Sequence, residues 1–290
     1  MIETVNSFIR EWVTFEVFNG FTIGWTLLGV IVFFALLFIT APYGRHTKST
    51  WGPLIDNKLG WFLMEICVLF ALFHFIYYGT NTVTLVNGII IALFSFHYIN
   101  RSIVFPLRIK TNGKKMPVAI MLMSITFNTM NGFLIGYYLG EFKIYENEWL
   151  QSPQFIIGTL LFFTGMFINW QSDGILINLR KPGETGYKIP TGGLFKYVSC
   201  PNLFGEVLEW FGFAILTWSL PGILPNTQEF QFEFPDTGSF PVTIKAYDIK
   251  VSMHPGQYTV INSPDDKVVN QSIEELVYHA KILNLLGMHT

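Results

Sequence analysis

Pro117-Val118-Ala119-Ile120-Met121-Leu122-Met123-Ser124-Ile125-Thr126-Phe127-Asn128-Thr129-Met130-Asn131-Gly132-Phe133-Leu134-Ile135-Gly136-Tyr137-Tyr138-Leu139 carries no charged side chain from end to end. A helix crosses the roughly 30 Å hydrocarbon core of a bilayer with about 20 predominantly apolar residues, and this stretch satisfies that length without interruption. Five further stretches are apolar enough to read as spans: 21–40, 60–79, 82–98, 155–170 and 203–224, of which 82–98 and 155–170 are short or broken by polar residues and 203–224 contains Glu206 and Glu209. The chain has 290 residues, 51% hydrophobic and 17% aromatic, only 13% charged, with a mean hydropathy of +0.41. Soluble domains carry about 25% charged residues, so a water-soluble enzyme, a disordered chain and a free nucleic-acid binder are all excluded. The fold class expected is an all-α integral membrane protein of about six spans.

Net charge is −2, and two cysteines, Cys67 and Cys200, cannot build a disulfide framework. Glu3, Arg10, Glu11 and Glu16 precede the first apolar run, the wrong charge for a secretory leader, so no cleaved signal is expected. Alternate loops hold twelve Lys and Arg residues (around 45–58, 101–115 and 180–196), whereas the opposite side holds only Arg10 and Lys143. Cytoplasmic loops near spans are the basic ones, which predicts an outside N-terminus and three cytoplasmic loops.

Composition changes near Pro221. Residues 228–290 hold 8 of the 20 acidic residues and no stretch able to span a membrane. Residues 245–253 read as a short strand and 263–287 as an amphipathic helix with Ser263 as its N-cap and Gly287 as its stop. This division predicts a membrane domain over 1–224 and a small soluble α/β tail over 225–290, too small for a core of its own.

Polar side chains inside spans are costly and mark functional sites by default. Glu65 follows Trp61-Phe62-Leu63-Met64, surroundings that disfavour its charged form and favour a neutral carboxylic acid able to donate a hydrogen bond. His97, Tyr98 and Arg101 end the third span, and a short turn between the second and third spans lets Glu65 and Tyr98 face each other. Two donors converging on one carbonyl oxygen would polarise it. Asn169 and Asp173 share a helix face at four-residue spacing, and Arg180 continues that face seven residues on. Amide, carboxylate and guanidinium in one column suit a ligand bearing hydroxyl and phosphate groups. Gly192-Gly193 allows a tight turn or a close backbone approach, and Asn202 opens the last span, with Glu206 and Glu209 inside it. The glycine-rich dinucleotide and phosphate loops and the His-Glu-x-x-His zinc motif are missing from the sequence, and no metal site is expected.

The run from Gly183-Glu184 through Tyr187-Lys188-Ile189-Pro190-Thr191-Gly192-Gly193-Leu194-Phe195-Lys196-Tyr197-Val198-Ser199 to Asn202-Leu203-Phe204-Gly205-Glu206-Val207-Leu208-Glu209-Trp210 resembles the signature of the steroid 5-alpha-reductase family. So do Tyr43-Gly44-Arg45-His46-Thr47, Trp61 to Glu65, His97-Tyr98-Ile99-Asn100-Arg101, and Asn131-Gly132 with Gly136-Tyr137-Tyr138; the likeness covers about residues 20–222. The resemblance implies a multi-pass reductase of the bacterial inner membrane or endoplasmic reticulum, monomeric, acting without nucleic acid. It implies hydride transfer from NADPH to the Δ4 double bond of a lipophilic 3-oxo-Δ4-steroid. Glu65 and Tyr98 then hold the 3-keto oxygen. Cofactor contacts fall on Tyr43, Arg101, Asn169, Asp173, Arg180, Tyr187, Lys188, Asn202 and Glu206, at a site facing the cytoplasm. Related membrane lipid enzymes are the alternative: sterol, polyprenol or enoyl reductases, or an isoprenylcysteine-type methyltransferase using S-adenosylmethionine. Glu65 with His97-Tyr98 favours the steroid branch.

The family continues into a seventh helix, which the sequence after Pro221-Gly222 does not show. Instead Lys250-Val251-Ser252-Met253-His254-Pro255-Gly256-Gln257-Tyr258 and Glu274-Glu275-Leu276-Val277-Tyr278-His279-Ala280-Lys281 resemble a piece of the UV-damage endonuclease family, with His254 and His279 at positions that bind metal there. So short a piece lacks the remaining ligands, and the tail is expected to be a fused fragment without endonuclease activity.

Overall fold

A computed structural model describes residues 2–36, 38, 51–111, 113–180, 184, 188–219 and 221. Its helices are α1 (Ile2–Trp12), α2 (Phe15–Leu36), α3 (Asn57–Tyr77), α4 (Leu85–Ile99), α5 (Phe105–Arg108), α6 (Val118–Tyr137), α7 (Pro153–Ile177) and α8 (Pro201–Thr217). Two short strands, β1 (Leu54–Asp56) and β2 (Lys115–Pro117), pair antiparallel with Ile55 opposite Met116. The described chain divides into two compact units, one of residues 2–166 with 207–221 and one of residues 167–206.

In the first unit, the β1–β2 clip starts α3 and α6 side by side, so the two helices run parallel. Asp56 caps α3 by accepting hydrogen bonds from the amides of Lys58 and Leu59, each 3.0 Å long. Along the α3–α6 seam the backbones nearly touch. A Cβ placed on Gly132 would lie 2.4 Å from the Val68 carbonyl oxygen, on Gly136 2.7 Å from that of Leu72, and on Gly140 2.4 Å from that of Phe75. In lipid the hydrophobic effect does not drive helices together, and small residues that permit close van der Waals contact take its place. Gly158 of α7 and Gly212 of α8 repeat the device, because a Cβ on Gly212 would meet the Phe162 amide nitrogen at 2.4 Å.

Among the described residues, five helical segments are long and apolar enough to cross a membrane: Phe15–Val32, Asn57–Tyr77, Leu85–Arg108, Val118–Phe142 and Pro153–Ile177. Their outward faces are apolar; Leu27, Ile31, Phe70 and Leu160 are all exposed, as a lipid-facing surface requires. The third segment runs ten residues beyond the expected end at Tyr98 because its polar groups are satisfied. Ser102 Oγ donates to the Tyr98 carbonyl at 2.6 Å, and a π-helical turn (Asn100–Val104) widens the helix just ahead of Pro106, whose ring would crowd an α-helical carbonyl four residues back.

Two expectations are corrected. The sixth span is shorter than 203–224: α8 stops at Thr217, where Trp218 takes a left-handed φ of 42°. The freed carbonyls at its end are used by side chains, since Trp149 Nε1 donates to the Leu216 oxygen at 2.9 Å and the Tyr145 hydroxyl donates to that of Thr217. Burial pushes the Tyr145 phenol well above its ordinary pKa, keeping it a neutral donor. Arg180 also does not continue the Asn169–Asp173 face. The helix ends at Ile177, and Asn178 turns its side-chain amide back onto the Gly174 carbonyl at 3.0 Å. The amphipathic α1 was not anticipated. The strand at 245–253 and the helix at 263–287 lie outside the described residues.

The seam predicts a clear contrast between two glycines. Gly136→Ala is expected to cost about 1–3 kcal/mol by overpacking, seen as a lowered midpoint of thermal unfolding in detergent. Gly24→Ala, whose Cβ meets nothing within 4 Å, is expected to leave the midpoint unchanged or raise it slightly.

Candidate active site

Helix α6 presents two asparagines to the polar residues of its neighbours. Asn128 Nδ2 donates to the Met64 carbonyl at 2.6 Å and to Glu65 Oε2 at 3.2 Å, inside the buried face of α3. One turn further on, Asn131 Nδ2 donates to the Tyr98 hydroxyl oxygen of α4 at 2.8 Å. Glu65 and Tyr98 are both buried, 9% and 5% exposed. The bond accepted from Asn131 limits the directions that the Tyr98 O–H can take. Asn131 stood in the sequence only as part of a motif and Asn128 stood out not at all; two amides three residues apart in a charge-free span were the available signal.

Tyr98 is further fixed by packing. Its ring lies 4.9 Å from Phe94, 4.9 Å from His97 and 5.6 Å from Trp210 between centroids. His97 Nδ1 and Glu209 Oε1 are 2.8 Å apart, at 4% and 1% exposure, and the Trp210 ring stands 4.6 Å from the imidazole. This buried pair ties α4 to α8 directly beside Tyr98. Arg101, on the π-helical turn, places its guanidinium 5.0 Å from the Trp61 ring and 4.8 Å from that of Phe105, so its charge is held over two aromatic faces.

Asn131 also forms part of the wall of a cavity of about 380 Å³ between α2 and α6, together with Trp25, Phe127, Leu134 and Pro221. The volume lies within the range of about 300–1,000 Å³ typical of small-ligand sites. The lining is mainly apolar with a few polar groups. A second cavity of about 410 Å³, bounded by Phe18, Phe21, Phe75 and Phe133, has a purely apolar surface.

In the second unit, α7 and the start of α8 hold a separate polar cluster. Asn169 Nδ2 donates to the Asn202 carbonyl at 3.0 Å, and Asn202 Nδ2 donates to Asp173 Oδ1 at 3.3 Å. Asn169 and Asp173 are buried, and the hydroxyl of Ser172 beside them is buried with no hydrogen-bond partner. A buried hydroxyl without a partner, next to amides and a carboxylate, fits a site for a ligand rich in hydroxyls, such as the ribose and phosphates of a nucleotide cofactor. Gly192 and Gly193 have φ of 93° and 51°, and a Cβ on Gly193 would lie 3.1 Å from Gln171 Oε1, so this turn comes close to α7 as the sequence indicates. Glu206 is half-buried one turn after Asn202; Lys188 pairs with Glu184 at 2.5 Å; Arg180 is half-buried beyond the end of α7. Tyr43 and Tyr187 lie outside the described residues.

Membrane-spanning helices with ionisable and amide groups buried among them define an integral membrane protein with a functional interior. The family model for 3-oxo-5-alpha-steroid 4-dehydrogenase matches residues 114–239. A protein of Gossypium hirsutum called steroid 5-alpha-reductase DET2 is 42% identical over 68% of this chain and 78% of its own length. The 3-oxo-5-alpha-steroid 4-dehydrogenase 1 of Bos taurus is 42% identical over 67% and 77%, and the DET2 protein of Arabidopsis thaliana 38% identical over 65% and 74%. The chain belongs to the steroid 5-alpha-reductase family, and so to the oxidoreductases acting on CH–CH groups. A second family model, UV-endonuclease UvdE, matches residues 226–290.

The His97–Glu209 pair makes its own prediction. Glu209→Leu leaves a buried imidazole without its partner and is expected to cost about 3–5 kcal/mol. The double variant His97→Phe/Glu209→Leu, which removes both polar groups, is expected to recover most of that loss in thermal unfolding; a double variant as unstable as the single one contradicts a paired role.

Proposed function

We propose that this chain is an NADPH-dependent reductase of the Δ4 double bond of a 3-oxo-Δ4-steroid, with Glu65 and Tyr98 as the groups that polarise the 3-oxo oxygen. The observation that carries this reading is the pair of asparagines on one helix, Asn128 on Glu65 and Asn131 on Tyr98, with Asn131 also at the wall of the cavity. The family assignment supplies the reaction type, and the cavity between α2 and α6 offers a route for a lipophilic substrate from the bilayer. The site is read as facing the cytoplasm from the loop charges. The antiparallel β1–β2 clip between the first and third loops supports this arrangement, because it holds two of the basic loops together.

Bound NADPH supplies the hydride. The chain's own residues deal with the charge that this addition drives onto the 3-oxo oxygen, and a proton taken up at C4 from solvent completes the reduction. Tyr98 donates its O–H there while its oxygen accepts from Asn131. Glu65 is assigned as a neutral acid whose Oε2 accepts from Asn128 and whose O–H is donated to the 3-oxo oxygen. Donors placed in advance in a site without water stabilise a developing oxyanion by about 3–4 kcal/mol each. Asn169, Asp173, Asn202 and Glu206 are assigned to the cofactor, with Arg101, Arg180 and Lys188 as partners for its phosphates and Tyr43 and Tyr187 beside them. Residues 1–224 form the reductase domain in this reading. Residues 225–290 are read as a separate tail.

The test is steroid reduction by membranes containing the full chain, with NADPH and NADH compared. Turnover of a 3-oxo-Δ4-steroid with preference for NADPH supports the reading; turnover only of polyprenols or enoyl thioesters, or methyl transfer from S-adenosylmethionine, overturns it. Glu65→Gln is expected to retain cofactor binding and lose about 10²–10³-fold in kcat, and a near-normal rate removes Glu65 from the chemistry. Asp173→Ala is expected to raise KM for NADPH about tenfold or more while KM for steroid changes little; equal changes in both contradict a cofactor role.

A further inference from the structure

Helix α1 has three distinct faces. At 100° per residue, Val5, Phe8 and Trp12 fall within about 60° of one another on its surface. They are 52%, 60% and 63% exposed, and the rings of Phe8 and Trp12 are 6.0 Å apart. Adjacent to this stripe, Ile9 and Val13 turn inward to the apolar cavity beside Phe18 and Phe75. Ser7 lies on the side away from the stripe and Glu11 at its polar border, about 60° from Phe8, and both are exposed.

Polar contacts hold the helix firmly in this orientation. Asn6 Oδ1 is 3.2 Å from His74 Nε2 near the end of α3. Arg10 Nε donates to Glu141 Oε1 at 2.6 Å and its guanidinium also donates to the Tyr78 carbonyl, while Thr80 Oγ1 donates to the other Glu141 oxygen at 2.7 Å. The Tyr137 hydroxyl reaches the Val13 carbonyl at 3.4 Å. Rotating α1 to hide its aromatic stripe would break this set of bonds, so the stripe is presented by design of the contacts and not by default.

We infer that α1 is an in-plane anchor whose Val5–Phe8–Trp12 stripe is immersed in the headgroup and upper acyl region of the bilayer. The stripe ends three residues before Phe15, where the first segment able to cross a membrane begins. It therefore lies in the chain directly next to a helix whose exposed Leu27 and Ile31 face lipid. An amphipathic helix with aromatic residues on one face and Glu and Ser on the other is what this interfacial position selects. Because Arg10 and Asn6 grip α3 and the chain just beyond α6, immersion of α1 fixes the depth of that end of both helices. The inference is independent of the reductase reading.

Nitroxide labels at Val5→Cys, Ser7→Cys, Phe8→Cys and Glu11→Cys, each in the full chain carrying Cys67→Ala and Cys200→Ser and reconstituted in phosphatidylcholine vesicles, test the placement by electron paramagnetic resonance. Labels at 5 and 8 are expected to be relaxed more by oxygen than by a water-soluble nickel chelate, and labels at 7 and 11 the reverse. Nickel access at all four positions means a helix standing in water and overturns the inference. Shielding of 5 and 8 from both reagents means a protein surface, such as a second copy, covers the stripe, and overturns it equally. Quenching by lipids brominated near the headgroup is an independent check that leaves α1 nearly intact: the full chain is expected to show more quenching than Trp12→Phe, and equal quenching counts against immersion.

Discussion

The near contact of the α3 and α6 backbones is the constraint on which the rest depends. Gly132, Gly136 and Gly140 let the carbonyls of Val68, Leu72 and Phe75 approach where any side chain would stand. That approach brings Asn128 within 2.6 Å of the Met64 carbonyl, a distance no wider helix spacing would permit. Buried polar atoms need partners in hydrocarbon even more than in a soluble core, and the seam delivers them. Apolar packing and polar satisfaction are therefore the same feature on this interface.

The neighbourhood of Tyr98 is built on the opposite principle, a few strong contacts from several elements. The His97–Glu209 pair joins α4 to α8, Trp210 fills the angle between the two rings, and Asn131 reaches across from α6. Three helices thus restrict one phenol. The π-helical turn that follows places Arg101 over Trp61 and Phe105, so a widened turn caused by Pro106 also sets the position of a cation.

The spans themselves were legible because hydrocarbon thickness imposes a length on apolar runs, and Glu65 was legible because a carboxyl in such a run is costly. The Asn169–Asp173 pairing followed from helical spacing and reappears with Asn202 joined to both. What failed has equally physical causes. Asn100, Arg101 and Ser102 look like a loop in a hydropathy scan, yet each additional helical turn is retained because its polar groups find partners nearby. The end of α8 depends on Tyr145 and Trp149, more than sixty residues away in the chain, and no local pattern reveals such a cap. Arg180 was placed by extrapolating a helix past Asn178, whose side chain folds back on Gly174. The partners of Glu65 and Tyr98 were missed since an asparagine in an apolar helix declares that it needs a neighbour without saying which one.

The Glu65–Asn128 contact spans 63 residues of sequence, and that separation has a consequence for biosynthesis. At translation rates of about 5–20 residues per second, Glu65 leaves the ribosome on the order of 3–13 s before Asn128 does. Insertion of α3 therefore precedes the arrival of its polar partner and of the glycine face it docks against. During that interval the carboxyl is accommodated by a proton, by water at the translocation channel, or by headgroups at the membrane edge. Assembly of this protein accordingly has two stages, with α3 held in a provisional setting until α6 enters parallel to it and the β1–β2 clip closes.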